Sequence, residues 1–348
     1  MRVLQLGPYP PPHGGVQTNL VAIRSFLRQH GIPCTVINIT RHRRSDADEV
    51  YYPKGPFQLL QLLAHLNYDV IHLHIGGMLS SRLLSLALAC TAPRAKSVMT
   101  FHSGGFPSTP EGQALRPTSY AGFVLRRFDG IIGVNDEIIG FLHRMGVRPG
   151  RARLISPYSF LTDDSSAALP AALSDFFAAH NPVLLSVGLL EPEYDLPLQI
   201  GALPDIRKSF PQAGLLLIGS GSLEEMLRTK IQSSPCGEHI LLAGDVEHAP
   251  TVGAIRRATV MLRTTLYDGD ALSVREALQL GTPVIATDNG MRPAGVRLTP
   301  KSDSQALLAA VDEQLQQPAQ RKTSSSVGEN NLQAVLDFYR ELLEGKLD

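Results

Sequence analysis

Short apolar runs recur along the whole chain and constrain it more than any other feature. They lie at Val3–Leu6, Cys34–Ile39, Asp69–His74, Ser97–His102 and Asp129–Val134, then at Pro182–Val187, Gly214–Ile218, Ile240–Gly244, Val260–Leu262 and Pro283–Ala286. Such runs, bounded by glycine-rich or polar turns, read as buried strands. Helical patterns come between them, as in residues 17–29, where Leu20, Ile23 and Leu27 recur at helical spacing. Strands alternating with helices in both halves predict an α/β chain of two Rossmann-like, doubly wound domains facing a cleft. A length of 348 residues suits two such domains.

The totals narrow the function classes. No run of about 18 uncharged apolar residues occurs, so no bilayer-spanning helix is expected. The N-terminus reads as a strand and not a signal peptide, because no long apolar core follows Arg2. Cys34, Cys90 and Cys236 are odd in number and far apart, which predicts reduced core thiols in a cytoplasmic protein. Net charge is zero overall, yet residues 1–160 hold 17 Lys and Arg against 8 Asp and Glu, and the remainder 15 against 24. A basic first half would attract an anionic acceptor or the inner face of a membrane; attraction between the two halves is the blander reading. No nucleic-acid partner is expected.

Chemistry concentrates at residues 263–290. A strand runs into the acidic glycine turn Tyr267-Asp-Gly-Asp-Ala271, then a helix over Ser273–Leu280, which Gly281 and Pro283 stop. Free backbone N–H groups at such a helix start welcome a phosphate. Asp268 precedes the helix and Glu276 lies about a turn inside it, so the pair could hold hydroxyls at opposite ends of a sugar nucleotide. In the first half, Gly14 and Gly15 close a proline-rich loop before a helix, again the geometry of a phosphate or sugar site. Neither G-x-G-x-x-G nor a P-loop is present. His102 ends a strand before a glycine loop, where open α/β sheets place ligands. His72 and His74 share a strand face and form a conceivable metal pair, but no third ligand stands at a recognisable spacing.

The 263–290 stretch resembles the acidic-x7-Glu signature of retaining glycosyltransferases of family 4, which have the GT-B fold. Gly14-Gly15-Val16, His102 and the Gly219-Ser-Gly221 turn match further elements of that family, and the resemblance covers nearly the whole chain. It departs from the pattern in several places. Asp268 replaces the usual Glu, and Ser156-Pro-Tyr-Ser-Phe160 replaces Pro-Asn-Gly-Val-Asp. At Gly188-Leu-Leu-Glu-Pro-Glu-Tyr-Asp195, Leu189 and Tyr194 replace the Arg and Lys that neutralise the donor diphosphate. Arg263 is the first candidate to replace that charge, then Arg275 and Arg292.

The resemblance implies an acceptor-binding domain over 1–160, a nucleotide-sugar domain over 161–325 and a last helix, within 326–348, crossing back onto the first. It implies that Glu276 binds ribose hydroxyls, that Asp268 contacts sugar hydroxyls and that His102 lies near the donor sugar. Gly14, Gly15, Gly188, Gly219, Gly269, Asp270, Ala271, Leu272 and Ser273 would line the nucleotide diphosphate. The expected reaction is sugar transfer from a nucleotide-diphosphate sugar, a co-substrate, to a glycan, lipid-linked or small-molecule acceptor, with no metal or other cofactor required. Asp268-Gly-Asp270 also looks like the metal-binding Asp-x-Asp of GT-A enzymes, but it opens a helix late in the chain and has Glu276 as partner. The alternatives are a nucleotide-sugar 2-epimerase-like isomerase and a catalytically degenerate binding subunit.

Overall fold

The computed structural model describes residues 1–11, 14–40, 48–157, 168–267, 271–290, 292–316 and 331–346. These divide into two compact units, one holding the first 157 residues together with 331–346, the other 168–316. In the first unit the strands are β1 (Val3–Gly7), β2 (Cys34–Asn38), β3 (Val50–Tyr51), β4 (Val70–Ile75), β5 (Lys96–Phe101), β6 (Gly130–Gly133) and β7 (Ala152–Leu154). Its helices are α1 (Gly15–Gln29), α2 (Pro56–His65), α3 (Ser81–Cys90), α4 (Pro110–Ala114), α5 (Tyr120–Leu125) and α6 (Asp136–Arg144). The second unit has α7 (Ala171–Ala179), β8 (Val183–Val187), α8 (Leu196–Ser209), β9 (Gly214–Ile218), α9 (Glu224–Gln232), β10 (Ile240–Gly244), α10 (His248–Arg257), β11 (Val260–Arg263), α11 (Leu272–Gln279), β12 (Val284–Thr287), β13 (Arg297–Thr299) and α12 (Ser304–Gln316). The chain closes with α13 (Asn331–Leu343), which belongs to the first unit.

Each unit is built on one all-parallel sheet, ordered β3-β2-β1-β4-β5-β6-β7 in the first and β10-β9-β8-β11-β12-β13 in the second. Central strands such as β1, β4 and β9 are buried along their whole length, as parallel strands covered on both faces must be. Both orders contain a reversal. The chain leaves β1 toward β2 and returns on the far side as β4; likewise it leaves β8 toward β9 and returns as β11. Ligands of open α/β sheets collect at the carboxyl ends of such strand pairs.

The helices follow their local signals. Asn135 caps α6, its side chain accepting from the Ile138 amide, and Gly146 beyond the helix takes φ +82°. Helix α13 buries Leu332, Val335, Leu336, Phe338, Tyr339 and Leu342 with Val3, Ile23 and Leu27 of the first unit. Helix α7 buries Leu173 and Phe176 in the core of the second unit. Helix α10 begins at His248. Among the described residues no helix is long and apolar enough to cross a membrane.

Candidate functional site

In the second unit the residues of interest gather where β8 and β11 end side by side. Gly188 follows β8, and Arg263 is the last residue of β11. Arg263 is only 5% exposed. Its Nη1 donates to the Val187 carbonyl at 2.8 Å, and its guanidinium lies over the Tyr194 ring, 4.6 Å from the centroid. A Cβ on Gly188 would stand 2.8 Å from Arg263 Nη1 and overlap the Tyr194 ring. Glycine here lets both side chains lie against the backbone. The loop that carries Tyr194 is fastened to the β11 exit: the Leu266 amide donates to the Glu193 carbonyl at 2.7 Å, and Thr264 Oγ1 to that of Tyr194 at 2.9 Å. A loop with no cation at positions 189 and 194 thus receives one from the neighbouring strand.

Gly219 sits at φ +145°, and a Cβ there would fall on the Gly188 carbonyl oxygen. The Gly219 amide donates to Gly244 at 2.8 Å, so the ends of β8, β9 and β10 close backbone on backbone. Helix α11 starts over this floor. Its N-cap residue, Ala271, gives no side-chain cap, and Ser273 Oγ reaches the same Val187 carbonyl at 3.5 Å. Leu272 opens the helix and is buried. Glu276 is 4% exposed, and His248 Nε2 donates to its Oε1 at 2.6 Å. Asp268, Gly269 and Asp270 lie outside the described residues, so neither the first acid of the pair nor the Asp-x-Asp reading is placed. Arg292 is tied further along, Nε to the Thr287 carbonyl at 3.0 Å and Nη2 to Thr265 Oγ1 at 2.6 Å. Arg275 lies part-buried on α11.

In the first unit the reversal lies between β1 and β4. Gly14 caps α1 in an extended conformation without a side-chain cap, no acid stands in the first turn, and a Cβ on Gly15 would meet nothing within 4 Å. His102 follows β5, its amide donating to the Ile75 carbonyl at 2.8 Å. Its Nε2 lies 3.3 Å from His74 Nδ1, and His74 Nε2 lies 2.8 Å from Gln5 Oε1. His72 is bound to Tyr339 Oη at 2.5 Å and to Thr100 Oγ1 at 2.7 Å. Both nitrogens of His72 and His74 are therefore taken by protein partners, which replaces the metal-pair reading with buried hydrogen bonding. Burial pushes His72 and His102 down to about 3 and His74 well below its ordinary value, so all three are neutral at physiological pH.

Sequence reasoning did not single out His248 or Gln5. A histidine opening a helix after the Gly244-Asp turn was the available signal for His248; an isolated glutamine in an apolar strand was the signal for Gln5.

Comparison with known proteins agrees along most of the chain. The profile of the family described as "Glycosyl transferases group 1" matches residues 175–332, and that of the "Glycosyl transferase 4-like domain" matches 2–157. A phosphatidyl-myo-inositol mannosyltransferase of Mycobacterium tuberculosis is 26% identical over 312 residues, 83% of this chain and 78% of the relative. A glycogen synthase of the same organism is 24% identical over 287 residues, 78% of this chain and 66% of the relative. Among solved structures, Anabaena Alr3699/HepE in complex with UDP and glucose superposes with a TM-score of 0.66 at 17% identity, covering 99% of this chain and 98% of that one. Sucrose-phosphate synthase from Thermosynechococcus elongatus gives 0.66 at 18% identity, covering 99% and 97%.

Proposed function

We propose, for a chain that belongs to the GT-B glycosyltransferases of family 4, that it moves a sugar from a nucleoside diphosphate donor to its acceptor with retention at the anomeric carbon. The observation that carries the donor assignment is the buried Arg263 guanidinium, held by Val187 and Tyr194 at the β8–β11 reversal. A departing diphosphate gathers negative charge as the glycosidic bond breaks and the sugar becomes oxocarbenium-like. A fixed guanidinium, with the Leu272 and Ser273 amides at the start of α11, stabilises that charge without first having to reorganise. This placement disfavours the degenerate binding subunit. With this cation on the diphosphate, turnover is expected to persist in a chelator.

Glu276 binds the ribose hydroxyls, oriented by His248; Asp268 contacts the sugar; Gly14 and Gly15 leave room for the donor to approach amides at the start of α1; His102 hydrogen-bonds a sugar hydroxyl. The relatives' names favour a lipid-linked acceptor, phosphatidyl-myo-inositol mannosyltransferase above all, and a solved neighbour in complex with UDP-glucose favours a uridine donor.

Thermal stabilisation across a panel of nucleotide sugars identifies the donor, since a ligand specific for the folded state raises its melting point. Acceptor-dependent release of nucleoside diphosphate then supports transfer. Free nucleotide with an epimerised sugar and no acceptor would mean an isomerase, and no binding at millimolar donor a scaffold. In Glu276→Ala, donor affinity is expected to fall by about 1–3 kcal/mol, the cost of orphaned polar groups. Calorimetry showing wild-type affinity in a folded variant rejects the ribose assignment.

A membrane contact fits the same reading. Helix α2 turns Phe57, 75% exposed, and Leu60, 53% exposed, to solvent in the basic part of the chain. Such a face inserts into a headgroup layer and is helped by anionic lipid. Co-sedimentation with phosphatidylglycerol vesicles is expected for the wild type and lost in the Phe57→Ser/Leu60→Ser pair. Equal recovery of both proteins places the membrane contact elsewhere or nowhere.

A further inference from the structure

The buried polar chain behind His102 has a direction, and the carbonyl of Leu20 sets it. That oxygen can only accept, so the group of Gln5 facing it at 3.3 Å must be the amide nitrogen, which also lies 3.2 Å from Cys34 Sγ. Burial pushes the Cys34 thiol up to about 11, so the sulfur stays protonated and uncharged. Gln5 Oε1 then faces His74 Nε2 at 2.8 Å and must accept from it. His74 is fully buried, and the charged and polar groups facing it from the packed elements are Gln5, His72 and His102, none of which is a carboxylate able to support a second proton. A neutral imidazole carries one N–H. With that proton on Nε2, His74 Nδ1 is a bare acceptor, and His102 Nε2 at 3.3 Å must donate to it.

We propose that Gln5 and His74 are positioning residues that lock His102 in its Nε2–H tautomer, so that His102 Nδ1 presents a lone pair that only a hydrogen-bond donor can satisfy, and a sugar hydroxyl is one. This rests on the reading of His102 as a donor-sugar contact and adds its polarity: the sugar hydroxyl donates and the imidazole accepts. Nδ1 has no protein partner among the described residues. The neighbouring His72, though its ring lies tilted against that of His74 with 4.1 Å between centroids, faces two hydroxyls that can each donate or accept, so it fixes no direction.

The test is the long-range 1H–15N spectrum of 15N-histidine-labelled protein without ligand, with His102 identified by its loss in His102→Gln. A pyrrole-type Nε2 and a pyridine-type Nδ1 at pH 7 are expected for the wild type. In Gln5→Met, near in shape but with no oxygen to accept, His74 is released and the His102 pattern is expected to invert or average. Turnover is expected to drop about tenfold in Gln5→Met. An Nδ1–H tautomer in the wild type overturns the proposal, whether or not the variants fold, and so does an unchanged pattern in folded Gln5→Met. If the spectra follow expectation and no sugar is transferred with any donor, the lock stands and the transferase reading is what fails.

Discussion

Arg263→Ala is expected to lower kcat by about a hundred- to a thousandfold, the size of effect seen when one preorganised donor to a developing anion is removed. Donor affinity should fall much less, because the ground-state diphosphate keeps the amides at the start of α11. The split between rate and affinity is the informative part, since a residue that only shaped the pocket would change both together. The position makes the charge available without rearrangement: Val187 accepts from Nη1, Tyr194 supports the guanidinium face, and Gly188 leaves the space for both. Arg263→Lys should recover little, because an ammonium neither stacks on the ring nor reaches two oxygens in one plane. Truncating a buried side chain also threatens stability, so the melting point of each variant must be measured beside its rate. Wild-type turnover in folded Arg263→Ala would move the charge role to Arg292 or Arg275.

The strands were legible because burial on both faces leaves a short apolar run with little ambiguity, and β1, β4, β9 and β11 lie within a residue or so of where the pattern put them. Helix α8 was invisible for an equally physical reason. Gly201 and Pro204 lie inside it, and each lowers local helix propensity. Tertiary packing overrides them, with Leu196, Ile200, Leu203 and Ile206 buried in the core of the second unit.

The site was legible where one element carries it. Glu276 could be placed because its spacing from the helix start is local, and Arg263 because it ends a strand beside the acidic turn. The partners that position them come from elsewhere in the chain: His248 lies 28 residues before Glu276 and Tyr194 lies far before Arg263, and no periodicity records such pairs. Asp195 is a further case. It takes a left-handed conformation, φ 45°, which no pattern in the sequence marked. Its carboxylate accepts from Ser302 Oγ at 2.9 Å, a long-range contact that the sequence did not announce.

Two glycine substitutions should separate fold from function with opposite signatures. Gly219→Ala is expected to destabilise the second unit by about 3 kcal/mol or more, because its φ of +145° strains any L side chain and its Cβ would fall on the Gly188 carbonyl oxygen. Neither atom is the end of a flexible side chain, so relief requires the β8 and β9 ends to part. For a unit of this size the melting point should fall by roughly 6–12 °C. Gly15→Ala meets nothing within 4 Å and opens a helix, where alanine is the better helix former, so stability should hold or rise by up to about 1 kcal/mol. If the α1 amides receive the donor, the same methyl group stands in the path of approach, and kcat/KM should drop at least about tenfold. Calorimetry and initial rates on the two purified variants decide it. A Gly15→Ala enzyme as fast as the wild type would leave that glycine as a feature of the turn alone.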